Sequence, residues 1–347
     1  MHTLDAVDDL ILAEASAVDD EQGPVLVLDA PALATALADD LSTEGRTVLH
    51  RSDLLTDETE VPATADVVDT WSDPRLADVR LVLLRLPANL NALDELAENV
   101  AAHCHPDVRV VAGSRVKHMT RGMNEVLAAH FGDVRASLGV RKCRVLHAAA
   151  PRPEVREAEP TWPRTAALDE FGLSVVAYGA TFAGNRLDLG TRQLLESIID
   201  LRPTAGADRA VDLGCGSGIL AATLARNGWR VTGVDTSRAA VGSTAATAAA
   251  NGVEVAVRRA DALADWPEGD LDVVVCNPPF HVGTAKDSAP AFRMIRTAAR
   301  ALRPGGELWC VYNAHLPYLP TLRRDVGPSE IVTRDRSYLV TRSVRAQ

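Results

Sequence analysis

The sequence predicts an α/β protein built from two tandem parallel-sheet units, the first a degenerate copy of the second. Three observations carry this reading. Strand and helix patterns alternate along both halves, the halves align with each other, and only the second keeps a glycine-rich turn after its first strand. At 347 residues the chain exceeds the roughly 100 to 200 of an average single domain, so two separate cores are expected.

The elements are clearest in the second half. ADRAVDL (207–213) reads as a buried strand, GILAATLARNG as a helix closed by Gly228, WRVTGVD as a second strand, and SRAAVGSTAATAAANG as a helix closed by Gly252. VEVAVRRAD, LDVVVCN and GGELWCVYN follow as strands, with a helix over APAFRMIRTAARALRPGG between the last two. SEIVTRDRSYLVTRSV alternates as an antiparallel edge pair does.

The first half repeats this order. VLVLDAPALATALADDLSTEGRTVLHRS runs parallel to AVDLGCGSGILAATLARNGWRVTGVDTS, and VRLVLLRLPANL falls where LDVVVCNPPFHV falls. Internal duplication is the economical explanation. The first copy reads DAPA in place of DLGCGSG and LPAN in place of NPPF, so it keeps the fold without groups to hold a cofactor. The predicted organisation is a degenerate domain over 1–150, a linker over 151–177, and a domain that keeps the glycine turn and the NPPF string over 178–347.

Composition narrows the function classes. The five cysteines show no CxxC spacing, which points away from a disulfide framework or a structural zinc site and toward a reducing compartment. The acidic start, MHTLDAVDDLILAEASAVDDEQGP, has no leader pattern and no apolar run reaches membrane-spanning length, so a cytoplasmic protein without a membrane partner is expected. The net charge of −11 hides an asymmetry: residues 1–108 hold 5 basic against 23 acidic side chains, and 109–144 hold 8 against 2. Within that basic stretch, Arg115, Lys117, Arg121, Arg141 and Lys142 are candidates to meet RNA phosphates; an ordinary solvated face is the alternative.

VDLGCGSG (211–218) sets Gly214, Gly216 and Gly218 on the turn between strand and helix, where a ligand can approach backbone without meeting a Cβ. Gly216, Gly218 and Ala221 also fit the looser dinucleotide pattern, so an NAD-dependent oxidoreductase is a rival. Two acids weigh against it. Asp235 ends the second strand, where a carboxylate accepts ribose hydroxyls, and Asp261 follows the third strand, where it can meet an adenine amine. Asp212 belongs to the same proposed cofactor site.

VVVCNPPFH (273–281) is the most specific string. An amine conjugated to a ring or carbonyl is a poor nucleophile, and two acceptors on its N–H groups orient it and favour the pyramidal geometry needed to attack a methyl donor. The Asn277 side-chain oxygen and the Pro278 carbonyl are the candidate acceptors, two consecutive prolines fixing the direction of the latter. Phe280 offers a stacking face for a planar base. His281 reads as a cleft-lining residue, and Cys215 and Cys276 as packing residues.

At these residues the sequence resembles the class I methyltransferases, and within them the two-domain ribosomal RNA (guanine-N2)-methyltransferases, the large-subunit members more than the small-subunit ones. The resemblance spans nearly the whole chain and includes the lead-in YGATFAGNRLDLGTRQLL (178–195), where Phe182, Asp188 and Gly190 match and Arg186 stands where glycine is common. It implies two tandem Rossmann-like domains, S-adenosyl-L-methionine as cofactor, and transfer of its methyl group to the N2 amine of a guanine in ribosomal RNA, naked or in a particle. It also implies cofactor contacts by Phe182, Asp188, Gly190, Asp212, Gly214, Gly216, Asp235, Asp261 and Asn277. A protein-glutamine methyltransferase and a non-catalytic RNA-binding or assembly factor are the alternatives. A monomer is favoured.

Overall fold

The computed structural model describes residues 4–19, 23–43, 45–279 and 288–347. The chain divides into two compact units, Met1–Trp162 and Pro163–Gln347.

The first unit runs α1 (Ala6–Ser16), β1 (Val25–Leu28), α2 (Pro31–Thr43), β2 (Val48–Arg51), α3 (Leu55–Thr59), β3 (Ala65–Val67), β4 (Leu81–Arg85), α4 (Leu90–His103), β5 (Arg109–Arg115), α5 (Arg121–His130), β6 (Phe131–Ala136), β7 (Cys143–Pro151) and α6 (Pro153–Glu157). Its sheet has the order β3-β2-β1-β4-β5-β7-β6. Strands β1 to β5 are parallel, while β7 runs antiparallel to both β5 and β6. Both faces of the sheet are covered, so β1 is apolar at every position rather than alternating: Leu26 and Leu28 enter one core cluster, Val25 and Val27 the other.

The second unit opens with the hairpin β8 (Arg164–Leu168) and β9 (Leu173–Ala177), then continues as α7 (Leu189–Ile198), β10 (Arg209–Leu213), α8 (Ile219–Arg226), β11 (Arg230–Asp235), α9 (Arg238–Ala250), β12 (Val255–Arg259), β13 (Leu271–Cys276), α10 (Ala289–Ala301), β14 (Leu302–Asn313), α11 (Tyr318–Asp325), β15 (Ser329–Arg334) and β16 (Tyr338–Val344). Its order, β12-β11-β10-β13-β14-β16-β15, is that of the first sheet strand for strand. Again the central strands feed two cores: Val274 and Cys276 face one way, Val273 and Val275 the other.

The stretch expected as a linker, 151–177, is structured. Edge strand β9 is held against α9 by side chains: the Val176 amide donates to Thr247 Oγ1 at 2.9 Å, Ser174 to Asn251 Oδ1 at 3.0 Å and Tyr178 to Ser243 Oγ at 2.9 Å. Ser243, Thr247 and Asn251 lie four residues apart, on one face of the helix. Polar side chains there satisfy edge-strand amides that would otherwise be buried without partners.

The duplication extends to single hydrogen bonds. Gly214 (φ +77°) donates its amide to Val234 O at 2.8 Å, and Asp29 (φ +49°), the residue after β1, donates to Arg51 O at 3.1 Å. Asp29 thus keeps the left-handed turn of its glycine counterpart, a conformation aspartate tolerates better than most residues. Beyond that residue the two copies diverge. Helix α2 begins three residues after the end of β1, whereas α8 begins six after the end of β10, so the open loop of the second copy is wound into helix in the first. The Asp29 carboxylate accepts the Asp53 amide at 2.8 Å across the resulting turn, and burial pushes it up to about 6.

Candidate active site

The turn after β10 is assembled by its neighbours. Two amides, Gly214 and Cys215, converge on Val234 O at 2.8 and 3.2 Å, and the Gly218 amide closes the turn onto Cys215 O at 2.8 Å. A Cβ on Gly218 would lie 2.7 Å from Thr244 Cα, so this glycine serves the close approach of α8 and α9. A Cβ on Gly216 would meet nothing within 4 Å. The turn therefore leaves open space beside Gly216, as a cradle for a ligand requires.

The three acids expected at the cofactor do three different things. Asp235 is half-buried; its Oδ2 accepts the Gly216 amide at 3.2 Å and its Oδ1 the Ser237 amide at 3.0 Å, which places a carboxylate at the mouth of the turn. Asp212, by contrast, is fully buried and accepts the Ala221 amide of the first turn of α8 at 3.0 Å. Burial pushes its carboxyl up to about 8, and its Oδ1 has no partner among the described residues. Asp212 thus holds the helix onto the strand beneath the turn. Asp261 forms an ion pair with Arg293 of α10 at 3.1 Å, both side chains about half exposed, so the acid expected to face adenine is engaged within the protein.

The end of β13 brings in Asn277, whose carbonyl oxygen would lie 3.8 Å from a Cβ on Gly214: the two motifs are adjacent. Asn277 Nδ2 donates to Thr191 Oγ1 at 2.9 Å, while Asn277 Oδ1 is buried and has no hydrogen-bond partner among the described residues. Pro278 is buried beside it. Phe280 and His281 lie outside the described residues.

The lead-in connects to the same place. The Asp188 carboxylate caps α7 by accepting the amides of Gly190 and Thr191 at 3.0 and 3.2 Å, and Gly190 is buried against the Tyr338 ring, with 3.1 Å left for a Cβ. Phe182, in contrast, is 70% exposed. Thr191 was not singled out by the sequence, although it directly follows the matched Gly190. Cys215 and Cys276 are buried; burial lifts the first thiol, and contact with the Cys310 thiol together with burial lifts the second, which suits packing residues rather than nucleophiles.

In the first unit the basic residues gather where β5 ends and β7 begins. Arg115 is in register with Cys143, and the Val116 amide donates to Lys142 O at 2.9 Å, as Ala314 donates to Ser337 O at 2.8 Å in the second unit. The connection before this point covers 137–142 in the first unit, six residues, and 335–337 in the second, three. Its tip is a two-residue turn in which Val140 and Cys143 exchange both backbone hydrogen bonds and Arg141 and Lys142 have φ of +49° and +63°. Arg115, Lys117, Arg121, Arg141 and Lys142 are all exposed, with Leu138 at 86% exposure beside them. Arg121 pairs with Glu125 one turn along α5 at 3.2 Å, and Arg141 with Asp9 at 3.4 Å.

A seven-stranded sheet with its last strand inserted antiparallel, a glycine turn after the first strand and an NPP string after the fourth define a class I S-adenosylmethionine-dependent methyltransferase. The methyltransferase small domain matches residues 172–342 and the RLMG N-terminal domain residues 1–152. The chain belongs to the ribosomal RNA large subunit methyltransferase G family: it is 37% identical over 286 residues to the Streptomyces coelicolor member, covering 80% of this chain and 74% of that one. The Ectopseudomonas mendocina member is 38% identical over 267 residues, 76% of this chain and 70% of its own. Among solved structures, the fold matches a T. thermophilus 16S rRNA N2 methyltransferase determined with AdoMet and guanosine, with a TM-score of 0.77 at 22% identity over 98% of this chain and 92% of that one.

Proposed function

We propose that this protein transfers a methyl group from S-adenosylmethionine to the exocyclic N2 amine of a guanine in ribosomal RNA, in the cytoplasm, with the second unit as the catalytic one. The observation that carries the chemistry is the state of the Asn277 side chain: its Nδ2 donates to Thr191 while its Oδ1 is buried and left without a partner among the described residues. A buried acceptor with nothing to accept is costly, and an incoming amine would satisfy it.

The cofactor fits the residues present: the open side of Gly216 admits backbone contact, and the Asp235 carboxylate at the mouth of the turn suits a ribose diol. When bound, S-adenosylmethionine supplies an electrophilic methyl group. Asn277 Oδ1 and the Pro278 carbonyl accept from the guanine N2 hydrogens and hold the amine lone pair in line with that group. Exposed Arg115, Lys117, Arg121, Arg141 and Lys142 of the first unit would meet RNA phosphates, which the names of the relatives support as the substrate class.

Single-turnover methylation of ribosomal RNA by Asn277→Ala tests the assignment. At saturating RNA and cofactor the rate should fall by orders of magnitude while S-adenosylmethionine affinity stays near that of the parent. A normal rate of guanine methylation would reduce the NPP string to a turn and favour a non-catalytic assembly factor.

A further inference from the structure

We propose that Thr191 is a positioning residue for methyl transfer, pinning the Asn277 side chain with its oxygen turned to the substrate amine. This rests on the reading of Asn277 as the acceptor. The two ends of a carboxamide are nearly equal in size and opposite in hydrogen-bonding sense, so sterics alone do not choose between them. Asn277 turned about would present N–H donors to the N–H groups of guanine N2, and no orienting bond would form.

The 2.9 Å contact from Asn277 Nδ2 to Thr191 Oγ1 holds the side chain in the arrangement that the reaction needs, with the donor end occupied and Oδ1 left as the buried atom with no partner among the described residues. The hydroxyl is itself fixed by its place on α7. The Asp188 carboxylate accepts the Gly190 and Thr191 amides at 3.0 and 3.2 Å, and a Cβ on Gly190 would be 3.1 Å from the Tyr338 ring, so the first turn of the helix sits close against β16. One residue pair along, Gln193 donates to Asp335 in the turn that precedes β16. The aspartate and glycine of the lead-in therefore deliver a hydroxyl to the reacting asparagine from a helix anchored on two sides.

The test uses the full-length protein and ribosomal RNA. Thr191→Val keeps shape and removes the hydroxyl; the single-turnover rate at saturating RNA and cofactor should fall on the order of tenfold or more, the effect of losing one orienting hydrogen bond. S-adenosylmethionine affinity by calorimetry and the RNA concentration for half-maximal rate should stay within about twofold, and Thr191→Ser should restore most of the rate. In an Asn277→Asp background both carboxylate oxygens accept, so adding Thr191→Val should cost little more. The pair Thr191→Ala and Thr191→Ser gives the same comparison if valine prevents folding. An undiminished rate for Thr191→Val, equal losses for valine and serine, or cofactor affinity falling in step with rate would each overturn the role. Those results leave guanine methylation by the parent protein intact; a parent protein that methylates no guanine defeats the underlying reading as well.

Discussion

Asp212 and Asp235 sit at the ends of neighbouring strands and are one charge each in the sequence, yet their surroundings give them opposite tasks. Asp235 keeps access to solvent and aims at the turn, so Asp235→Ala should weaken S-adenosylmethionine binding by ~1.5 to 3 kcal/mol for each charge-assisted hydrogen bond lost, read by calorimetry. Unchanged affinity would remove it from the site. Asp212 is fully buried with a carboxyl raised to about 8, far above its value near 4 in an unfolded chain. Between those values the unfolded chain ionises and the folded one does not, so this group costs stability increasingly as pH rises from 4 toward 8 and no further above it. Asp212→Asn, which keeps an acceptor for the Ala221 amide, should flatten the pH dependence of denaturant midpoints across that window. Strand parity alone does not separate the two roles, because Asp212 is in register with Gly233 and Asp235 lies two residues further along the same face of β11; what separates them is that Asp212 lies beneath the first turn of α8, whereas Asp235 ends its strand at the glycine turn. Asp235, the glycines and Asn277 were legible because each belongs to a string with a chemical reason. Thr191 was not, because its partner is 86 residues away and only the fold joins them.

Strand and helix order was legible from alternation, and so was the antiparallel pair that closes the second sheet. The hairpin β8–β9 was not, because its stability comes from α9: the Ser243, Thr247 and Asn251 ladder is dispersed in a small-residue helix whose polar face looks solvated until a strand is laid on it. The longer connection of the first sheet carries its own tension. A two-residue turn with positive φ at both positions is best served by Asn-Gly, and side chains with a Cβ pay roughly 1 to 2 kcal/mol per residue in that conformation. Arg141 and Lys142 occupy it nonetheless. Replacing them together by Asn and Gly should raise the melting temperature while weakening ribosomal RNA binding and flattening its dependence on salt, since fewer counterions are released. A variant that gains stability and binds RNA with the parent's affinity and salt slope would make the turn an ordinary surface feature.

Two sheets of identical strand order show what duplication preserved and what it let go. The first copy kept even the left-handed residue after β1, but it closed the crevice behind it with the Asp29 carboxylate and an early helix. The full chain should accordingly bind one equivalent of S-adenosylmethionine, and calorimetric stoichiometry near two would reopen the first unit as a cofactor site. The longer connection at the end of the first sheet joins β6 and β7, whose counterparts β15 and β16 lie beyond β14 from the strand that carries Asn277, and it shares no residue with the turn, the capped helix or the NPP string. On the proposed contact with RNA phosphates, insertions and charge changes there would redirect the protein to a different stretch of RNA while leaving the residues of the second unit's site unaltered. In a protein built that way, where on the RNA it lands would be open to evolutionary drift while the reaction performed on arrival would be inherited unchanged.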